Sequence, residues 1–401
     1  MIKVLRMESF GAVAYEECED ISHLGHFGKS LYIRSPQEVV KFKDKALKVV
    51  DVGVKTWGYL SAPLSIEVEV TLSCPLRCRH CYSNAGANEA FLPDHLFKKL
   101  VNEASEMGVF ALDIIGGEPL VRKDLKELLG YAQKRDLAVT LNTNAVLASK
   151  DVVKELKEAG LSKVFVSLDA HVPDVHDRIR GVKGAFSRTL AGLQNFISED
   201  FFVILGFTAT KLNYNLLHDY LEYAANIGAN KVHVMRFIPI GRGRDYREEL
   251  EMDDHQIVEF LRSISDLKSR GIDLSFDCSF GIFNSLIPFE ASATCPAGTV
   301  MVTVLVDGTV VPCGHFRYNK EFYAGNLGLN NLMEIWEHEK VFEIFRRENL
   351  ECRSCSAFML CRGGCRAFSL LRNKGKRDPI ACRYFLGATG GPSKKEIYRN
   401  A

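Results

Sequence analysis

Three cysteines lie close together in the stretch SCPLRCRHCYSN, which runs from Ser73 to Asn84. They are Cys74, Cys78 and Cys81, and their spacing is C-x3-C-x2-C. A structural zinc ion takes four ligands and closes its coordination shell. Three neighbouring thiols therefore favour a metal centre with one open position, at which another molecule binds and reacts.

A second group of seven cysteines occupies the C-terminal part of the chain: Cys295, Cys313, Cys352, Cys355, Cys361, Cys365 and Cys382. Only Cys18 and Cys278 stand outside the two groups. In a reducing compartment, spaced cysteines are more often metal ligands than disulfide partners. The second group therefore predicts metal binding, and its spacing alone leaves zinc and iron–sulfur clusters both open.

Composition excludes several classes of partner. The 401 residues carry 51 Lys and Arg against 50 Asp and Glu, so bulk charge favours neither nucleic acid nor an anionic membrane. The length and a hydrophobic content of 47% suit a globular protein with one large and one smaller domain. The N-terminal stretch MIKVLRMESFG lacks the apolar region of a signal peptide, and no apolar run is long enough to span a membrane. We therefore expect a cytoplasmic protein.

Six apolar segments alternate with amphipathic helical segments in the first two thirds of the chain. The apolar segments start near Ile66, Val109, Leu137, Lys163, Phe202 and Lys231. Strands that alternate with helices pair in parallel through right-handed crossovers. Because six such units are too few to close an eight-stranded barrel, the sequence predicts an α/β fold with an open, partial (βα)6 barrel.

Polar residues follow these strands at their carboxyl ends, where α/β sheets collect their functional residues. The second strand ends in Gly116, Gly117 and Glu118, the third in Asn142, Thr143 and Asn144, and the fourth in Ser167 and Asp169, with Arg180 shortly after. Each polar residue taken alone is more often a cap or a turn residue. Together with the cysteines after the first strand, they indicate a shared polar ligand with amine, carboxylate and hydroxyl groups.

The cysteine motif after the first strand and the GGEP sequence after the second resemble the radical SAM superfamily, over roughly residues 65–245. The resemblance implies a [4Fe–4S] cluster on Cys74, Cys78 and Cys81, with S-adenosylmethionine on the fourth iron. It also implies that one electron, supplied by a ferredoxin- or flavodoxin-like donor, cleaves S-adenosylmethionine to a 5′-deoxyadenosyl radical. That radical would abstract hydrogen from the substrate.

The same resemblance assigns roles to the residues around the cluster. His80 is expected to pack on adenine, although a histidine in a cysteine loop could by itself equally be a zinc ligand. The expected contacts with S-adenosylmethionine are Gly116, Gly117 and Glu118 for the amine, and Asn144, Ser167 and Arg180 for the ribose and the carboxylate.

The second cysteine group, from Cys295 to Cys382, resembles the SPASM domain, a C-terminal extension of many radical SAM enzymes. The resemblance implies two auxiliary [4Fe–4S] clusters, and so three clusters in all. The expected ligand sets are Cys352, Cys355, Cys361 and Cys382 for one cluster, and Cys295, Cys313 and Cys365 for the other. The fourth ligand of the latter is either Cys278 or, if Cys278 is an ordinary buried thiol, a substrate thiolate on an open iron.

We divide the chain into an N-terminal strand-bearing segment with a possible substrate or leader contact (1–64), a radical SAM partial barrel (65–270), a SPASM domain (271–388) and a tail (389–401). Since SPASM enzymes mostly act on peptides, the leading interpretation is maturation of a ribosomally made peptide or protein. One alternative is tetrapyrrole (haem) or metal-cofactor synthesis, in which Arg242 and Arg244 would bind substrate carboxylates rather than solvent. The other is a non-enzymatic iron–sulfur carrier, against which the strand-end residues argue.

Overall fold

The computed structural model of the chain describes residues 2–8, 11–16, 29–33, 46, 48–50, 60–265, 272–278, 280, 295–338, 340–346, 352, 363–372 and 378. Within these residues, no helix is both long and apolar enough to cross a membrane. The predictions for Cys18, Cys355, Cys361, Cys382 and the tail at 389–401 lie outside the described residues.

The N-terminal residues form a small four-stranded sheet. Its strands are β1 (Ile2–Glu8), β2 (Gly11–Glu16), β3 (Lys29–Ile33) and β4 (Lys48–Val50), in the spatial order β3-β2-β1-β4. Pairing is antiparallel between β1 and β2 and between β2 and β3, whereas β4 runs parallel to β1. In the described part of the chain, β3 is therefore an edge strand.

Arg6 joins this sheet to the rest of the molecule. Its buried side chain donates hydrogen bonds to the carbonyl oxygens of Ala62 (2.8 Å), Pro63 (3.0 Å) and Gly108 (3.2 Å). It also forms an ion pair with Glu8 (2.7 Å). Because a buried guanidinium is costly without such partners, these contacts fix the position of the small sheet.

The main sheet has ten strands, and its parallel part follows the predicted strand positions. These strands are β5 (Ser65–Glu69), β6 (Ala111–Ile115), β7 (Ala138–Thr143), β8 (Lys163–Ser167), β9 (Phe202–Ala209) and β10 (Lys231–Arg236). They pair in parallel in chain order. The predicted α/β fold and its partial barrel are confirmed.

Helices lie along the outer face of this sheet and beside the loops at its carboxyl ends. They are α1 (Asp94–Glu106), α2 (Leu125–Gln133), α3 (Lys150–Glu158), α4 (Pro173–Arg180), α5 (Ala185–Ser198), α6 (Leu217–Asn226), α7 (Arg247–Leu250) and α8 (Asp254–Ser265). Alternate strand residues such as Val68, Ile114 and Val166 are buried against them in one apolar core. The strand residues between them therefore face the barrel interior, since successive side chains point to opposite faces.

Short strands extend both edges of the main sheet. β11 (Asp273–Phe276) pairs in parallel with β10, and β12 (Met301–Val304) pairs in parallel with β5. β13 (Thr309–Val311) and β14 (Gly325–Asn326) follow antiparallel, and the hairpin between β12 and β13 turns at Asp307 and Gly308. Residues beyond the predicted boundary at 270 thus share the sheet with the barrel, and the four-part division stays a prediction.

The C-terminal residues form a smaller apolar core beside the barrel. Its described helices are α10 (Glu343–Arg346) and α11 (Arg366–Arg372), whereas α9 (Leu332–His338) packs its buried residues into the main core of the barrel. Val311, Phe316 and Phe345 are buried there together with Cys365, and Cys295 and Cys313 pack against them. Cysteines of the second group therefore line this core.

Candidate functional site

The loop after β5 carries the first three cysteines and is enclosed by the loop after β6. The amide of Gly117 donates to the carbonyl oxygen of Thr71 (2.7 Å), and the amide of Glu118 donates to that of Ser73 (2.8 Å). A Cβ atom on Gly116 would lie 2.5 Å from the oxygen of Thr71, and one on Gly117 would lie 2.3 Å from the oxygen of Ser73. Glycine is required at both positions because the backbones approach so closely.

The loop after β10 encloses the same cysteine loop from another side. Arg242 donates to the carbonyl oxygens of Cys78 (3.0 Å) and Ala85 (2.7 Å) through its two Nη atoms. A Cβ atom on Gly241, whose φ is +58°, would lie 2.3 Å from the oxygen of Tyr82. Arg242 is therefore a structural clamp on the cysteine loop, a contact that the sequence analysis did not predict.

Each of the three cysteine sulfurs has a nearby donor: Asn144 Nδ2 for Cys74 (3.7 Å), Arg180 Nη1 for Cys78 (3.8 Å) and the amide of Ala85 for Cys81 (3.3 Å). Burial raises the pKa of Cys74 to about 12 and that of Cys78 to about 11. Cysteine ligands release their protons when they bind a metal, so metal binding at such buried thiols depends on pH. Three thiols that each have a nearby donor fit an iron–sulfur cluster, whose sulfurs accept such hydrogen bonds.

Glu118 is fully buried and ties the end of β6 to the end of β7. Its carboxylate accepts hydrogen bonds from the amide of Leu120 (3.1 Å), the hydroxyl of Thr143 (2.7 Å) and the amide of Asn144 (2.7 Å). Burial raises the pKa of this carboxyl to about 7. A carboxylate can accept about four hydrogen bonds, so the expected contact with the methionyl amine stays a prediction beside this structural role.

Asp169, at the end of β8, holds two of the predicted site residues. Its Oδ2 atom lies 2.9 Å from His80 Nε2 and 2.7 Å from Arg180 Nε. Burial acts to raise the pKa of Asp169, but the Arg180 guanidinium and His80 together hold it well below its usual range. The ring of His80, within the cysteine loop, is therefore fixed in place, where it can pack on a planar ligand.

His176 is a residue of this site that the sequence analysis did not single out. It is fully buried on α4, and its Nδ1 atom accepts a hydrogen bond from the amide of Asp169 (3.2 Å). It precedes Arg180 by one helical turn, so the HDRIRG sequence was the available signal. The structure thus brings His80, Glu118, Asn144 and Arg180 together around the three cysteines, and Ser167 lies at the adjacent strand end.

Three cysteines of the second group, Cys295, Cys313 and Cys365, converge with Cys278 in the C-terminal core. The Cys278 thiol is hydrogen-bonded to the sulfurs of Cys295 and Cys365, and Cys313 is close enough to interact electrostatically with the latter two. The hydrogen bond from Cys278 is the main cause that lowers the pKa of Cys295 to about 7. Of the other expected ligand set, the described member is Cys352, which is buried.

No three His, Cys, Asp or Glu side chains within the described ranges surround a single metal-ion position. Four thiols are a ligand set that a structural zinc ion and an iron–sulfur cluster both take, so this result does not decide between them. The donor set of Cys278, Cys295, Cys313 and Cys365 consists of thiols alone, which suits an iron–sulfur cluster. Cys278 as the fourth ligand nevertheless stays a prediction.

Comparison with known proteins agrees with this geometry. The radical SAM superfamily matches residues 68–224, and the SPASM iron–sulfur cluster-binding domain matches residues 295–356. The chain is 31% identical over 328 residues to an AdoMet-dependent heme synthase of Methanosarcina barkeri, covering 77% of this chain and 92% of that protein. It is 32% identical over 317 residues to the mycofactocin maturase MftC of Mycolicibacterium smegmatis, covering 77% and 79%.

Two further proteins are similar at lower identity. The PqqA peptide cyclase of Gluconobacter oxydans is 28% identical over 327 residues, covering 80% of this chain and 90% of that protein. Streptococcus suis SuiB bound to the precursor peptide SuiA superposes with a TM-score of 0.67 at 18% identity, covering 89% of this chain and 83% of that one. The likeness to SuiB shows a shared fold.

These matches agree with the cysteine loop, the strand-end residues and the C-terminal thiols. The protein is an enzyme, and its cofactors are [4Fe–4S] clusters and S-adenosylmethionine. The chain belongs to the radical SAM superfamily and carries a SPASM domain.

Proposed function

We propose that this enzyme modifies a ribosomally made peptide or protein by abstracting hydrogen from it. Two relatives are named as a maturase and as a peptide cyclase, and the structurally similar SuiB has been crystallised with a precursor peptide. When bound, the cluster and S-adenosylmethionine supply the one-electron cleavage that makes hydrogen abstraction possible. We expect a ferredoxin- or flavodoxin-like protein to donate the electron for this cleavage.

The charged groups in the barrel interior favour a peptide over a substrate with several carboxylates. Three basic side chains in and beside the interior are already paired with carboxylates: Lys231 with Asp273 (3.2 Å), Arg317 with Glu69 (3.0 Å) and Arg180 with Asp169 (2.7 Å). Glu67 and Asp113 add carboxyl groups whose pKa values are raised by burial. Such an interior suits the amide and amine donors of a peptide better than a substrate with several carboxylates.

The arginines expected to bind tetrapyrrole carboxylates lie in unsuitable places. Arg242 is committed to the backbone of the cysteine loop through both Nη atoms. Arg244 is exposed to solvent, with its guanidinium near the ring of Tyr318 (5.8 Å). The loop therefore supports the cluster and gives no evidence of a carboxylate-binding site.

The chain's own residues also shield the reaction space. Phe165, Phe202 and Ile204 form an apolar cluster on the interior faces of β8 and β9, with Met235 packed against it. Apolar walls exclude water from a reactive substrate. His80, fixed by Asp169, and the backbone around Gly116 and Gly117 orient the co-substrate on the opposite side.

The small N-terminal sheet is a candidate site for the leader part of the peptide. An extended peptide can add to an exposed strand edge through backbone hydrogen bonds, and β3 is such an edge in the described residues. Arg6 fixes this sheet near the amino ends of β5 and β6. At ~3.3 Å per strand residue, a barrel wall is about 20 Å deep, so a short extended segment reaches from one end to the other.

Tetrapyrrole modification is the second candidate because of one specific observation. The heme synthase is 31% identical to this chain, and the alignment covers 92% of that protein, about as much as the 90% covered of the PqqA peptide cyclase. A non-enzymatic iron–sulfur carrier would need no co-substrate site, so the polar residues at the strand ends argue against this third candidate.

One experiment separates the two candidates. The anaerobically reconstituted full chain is incubated with dithionite, S-adenosylmethionine and either peptides encoded by short reading frames beside the gene or a propionate-bearing tetrapyrrole. We expect a peptide to lose hydrogen mass and, when deuterated, to transfer deuterium into 5′-deoxyadenosine. Deuterium transfer from the tetrapyrrole with loss of carbon dioxide, and none from any peptide, would reject the peptide proposal.

A further inference from the structure

Two aromatic side chains lie between the two cysteine groups. Tyr82 directly follows Cys81 in the first group, and His315 lies two residues after Cys313 in the second. Their ring centroids are 5.0 Å apart, with 32° between the ring planes. The rings therefore touch, although the residues are far apart in the sequence.

His315 also contacts a cysteine sulfur. Its Nδ1 atom lies 3.2 Å from the Sγ atom of Cys313. Sulfur is the acceptor when it is a thiolate, so the Nδ1–H of His315 donates to it once Cys313 binds iron. Hydrogen bonds to ligand sulfurs raise the potential of an iron–sulfur cluster because they stabilise the extra negative charge of the reduced state.

Tyr82 is built into this arrangement rather than resting against it by chance. A Cβ atom on Gly314 would lie 3.1 Å from Cε2 and 3.4 Å from Oη of Tyr82. The tyrosine ring thus lies against the backbone of the residue between Cys313 and His315. Tyr82 packs in the same apolar core as Cys295 and Cys313, so its ring limits how His315 can turn.

We propose that His315 sets the reduction potential of the cluster held by Cys313, and that Tyr82 orients His315 for this task. This inference rests on the family membership and on Cys313 as a cluster ligand, and it does not depend on which substrate the enzyme takes. Tyr82 is a positioning residue in it. The chain Cys81, Tyr82, His315 and Cys313 is then a continuous contact between the two cluster sites.

The test is a redox titration of the anaerobically reconstituted full chain, followed by the paramagnetic spectrum of each reduced cluster. His315→Phe keeps a ring against Tyr82 and removes the hydrogen-bond donor. We expect one auxiliary cluster to become harder to reduce, with about a tenfold lower ratio of reduced to oxidised form at a fixed potential, or about 59 mV. His315→Gln, which can still donate, should restore part of this shift.

Tyr82→Leu provides a second, independent measurement. It leaves His315 in place but removes the ring that orients it, so we expect a smaller shift of the same auxiliary cluster in the same direction. His218→Phe and Tyr214→Leu are matched controls, since His218 is bonded to Asp219 and Tyr214 to Glu259 on the outer helices. Both controls should keep wild-type potentials.

Three results would overturn the proposal. One is a wild-type potential for every cluster in His315→Phe with the iron content retained. If His315→Phe instead loses about four irons, the Tyr82→Leu titration decides, and an unchanged auxiliary potential there rejects the proposal. A shift confined to the cluster that responds to added S-adenosylmethionine would reject it as well, because it would assign His315 to the other site.

Discussion

Glu118 shows how a motif residue can serve the fold and the ligand at once. Its carboxylate is the common acceptor for Leu120, Thr143 and Asn144. The backbone amide of Asn144 donates to this carboxylate. The side-chain Nδ2 atom of Asn144 lies 3.7 Å from the sulfur of Cys74. A change at Glu118 is therefore expected to reach the cluster through the end of β7.

Glu118→Gln is expected to remove a pH dependence of stability. Burial raises the pKa of Glu118 from its ordinary value of 4.5 to about 7. Between pH 4.5 and about 7, Glu118 therefore keeps its proton in the folded state and has lost it in the unfolded state. The free energy of unfolding consequently falls as pH rises through this range. The contribution is about 3 kcal/mol at most. Chemical denaturation without S-adenosylmethionine, from pH 4.5 to 7.5, measures it.

The matched control is Glu127→Gln, on the exposed face of α2. It should keep the wild-type slope of unfolding free energy against pH, while Glu118→Gln flattens it. An identical slope in wild type and Glu118→Gln would show that the carboxyl does not titrate in this range.

The expected ligand residues of the site could be predicted from the sequence because their motifs are contiguous. Cys74, Cys78 and Cys81 share one loop, and GGEP follows one strand. The role of Asp169 was not readable, since its contact with His80 joins residues 89 positions apart. Such a bridge depends on which strand ends meet, and no local pattern encodes that.

The loop after β10 acts as an element that braces the cluster loop. Gly241→Ala places a methyl group 2.3 Å from the carbonyl oxygen of Tyr82. Because the obstacle is backbone, the loop must move, and we expect the content of about twelve irons to fall by about four with the auxiliary clusters retained. Since the lost cluster is the one expected to bind S-adenosylmethionine, cleavage of this co-substrate should fall close to zero. Iron analysis and 5′-deoxyadenosine formation measure both.

Gly184→Ala is the matched control for this change. Gly184 also has a positive φ, +76°, but an added Cβ atom would meet nothing within 4 Å. Both variants carry the backbone strain of a left-handed residue, so the difference between them isolates the contact with Tyr82. Equal iron content in the two variants would contradict the bracing role.

Strand positions in the barrel were predictable, and strand pairing at its edges was not. The strands predicted at Lys163, Phe202 and Lys231 begin at those residues in the structure. Their apolar periodicity is local and needs no partner to be recognised. β11 and β12 have four residues each, too few for a clear pattern. Their place in the sheet depends on contacts with β10 and β5, which only the folded chain reveals.

At the scale of the whole molecule, one sheet joins the two cluster sites. β12 pairs with β5, so backbone hydrogen bonds connect the strand before the first cysteines to the hairpin before Cys313. Arg317, four residues further on, forms a buried ion pair with Glu69 at the end of β5. The sheet thus fixes the relative position of the two sites, and this position does not depend on either cluster being bound. Loss of a ligand at one site should leave the other intact.

Cys278→Ala tests this independence and the ligand set of the auxiliary cluster together. The Cys278 thiol is hydrogen-bonded to Cys295 and Cys365, so its removal leaves three thiols around the site. Three thiolates are expected to retain a cubane, as is also expected of Cys74, Cys78 and Cys81, so iron content should stay near wild type. The opened iron should bind an added small thiol such as β-mercaptoethanol, which would change the paramagnetic spectrum of the reduced auxiliary cluster. Formation of 5′-deoxyadenosine should continue, because that chemistry belongs to the other site.

If the spectrum of Cys278→Ala matches wild type with and without the thiol, Cys278 is not a ligand, and an iron left open for substrate becomes the better account.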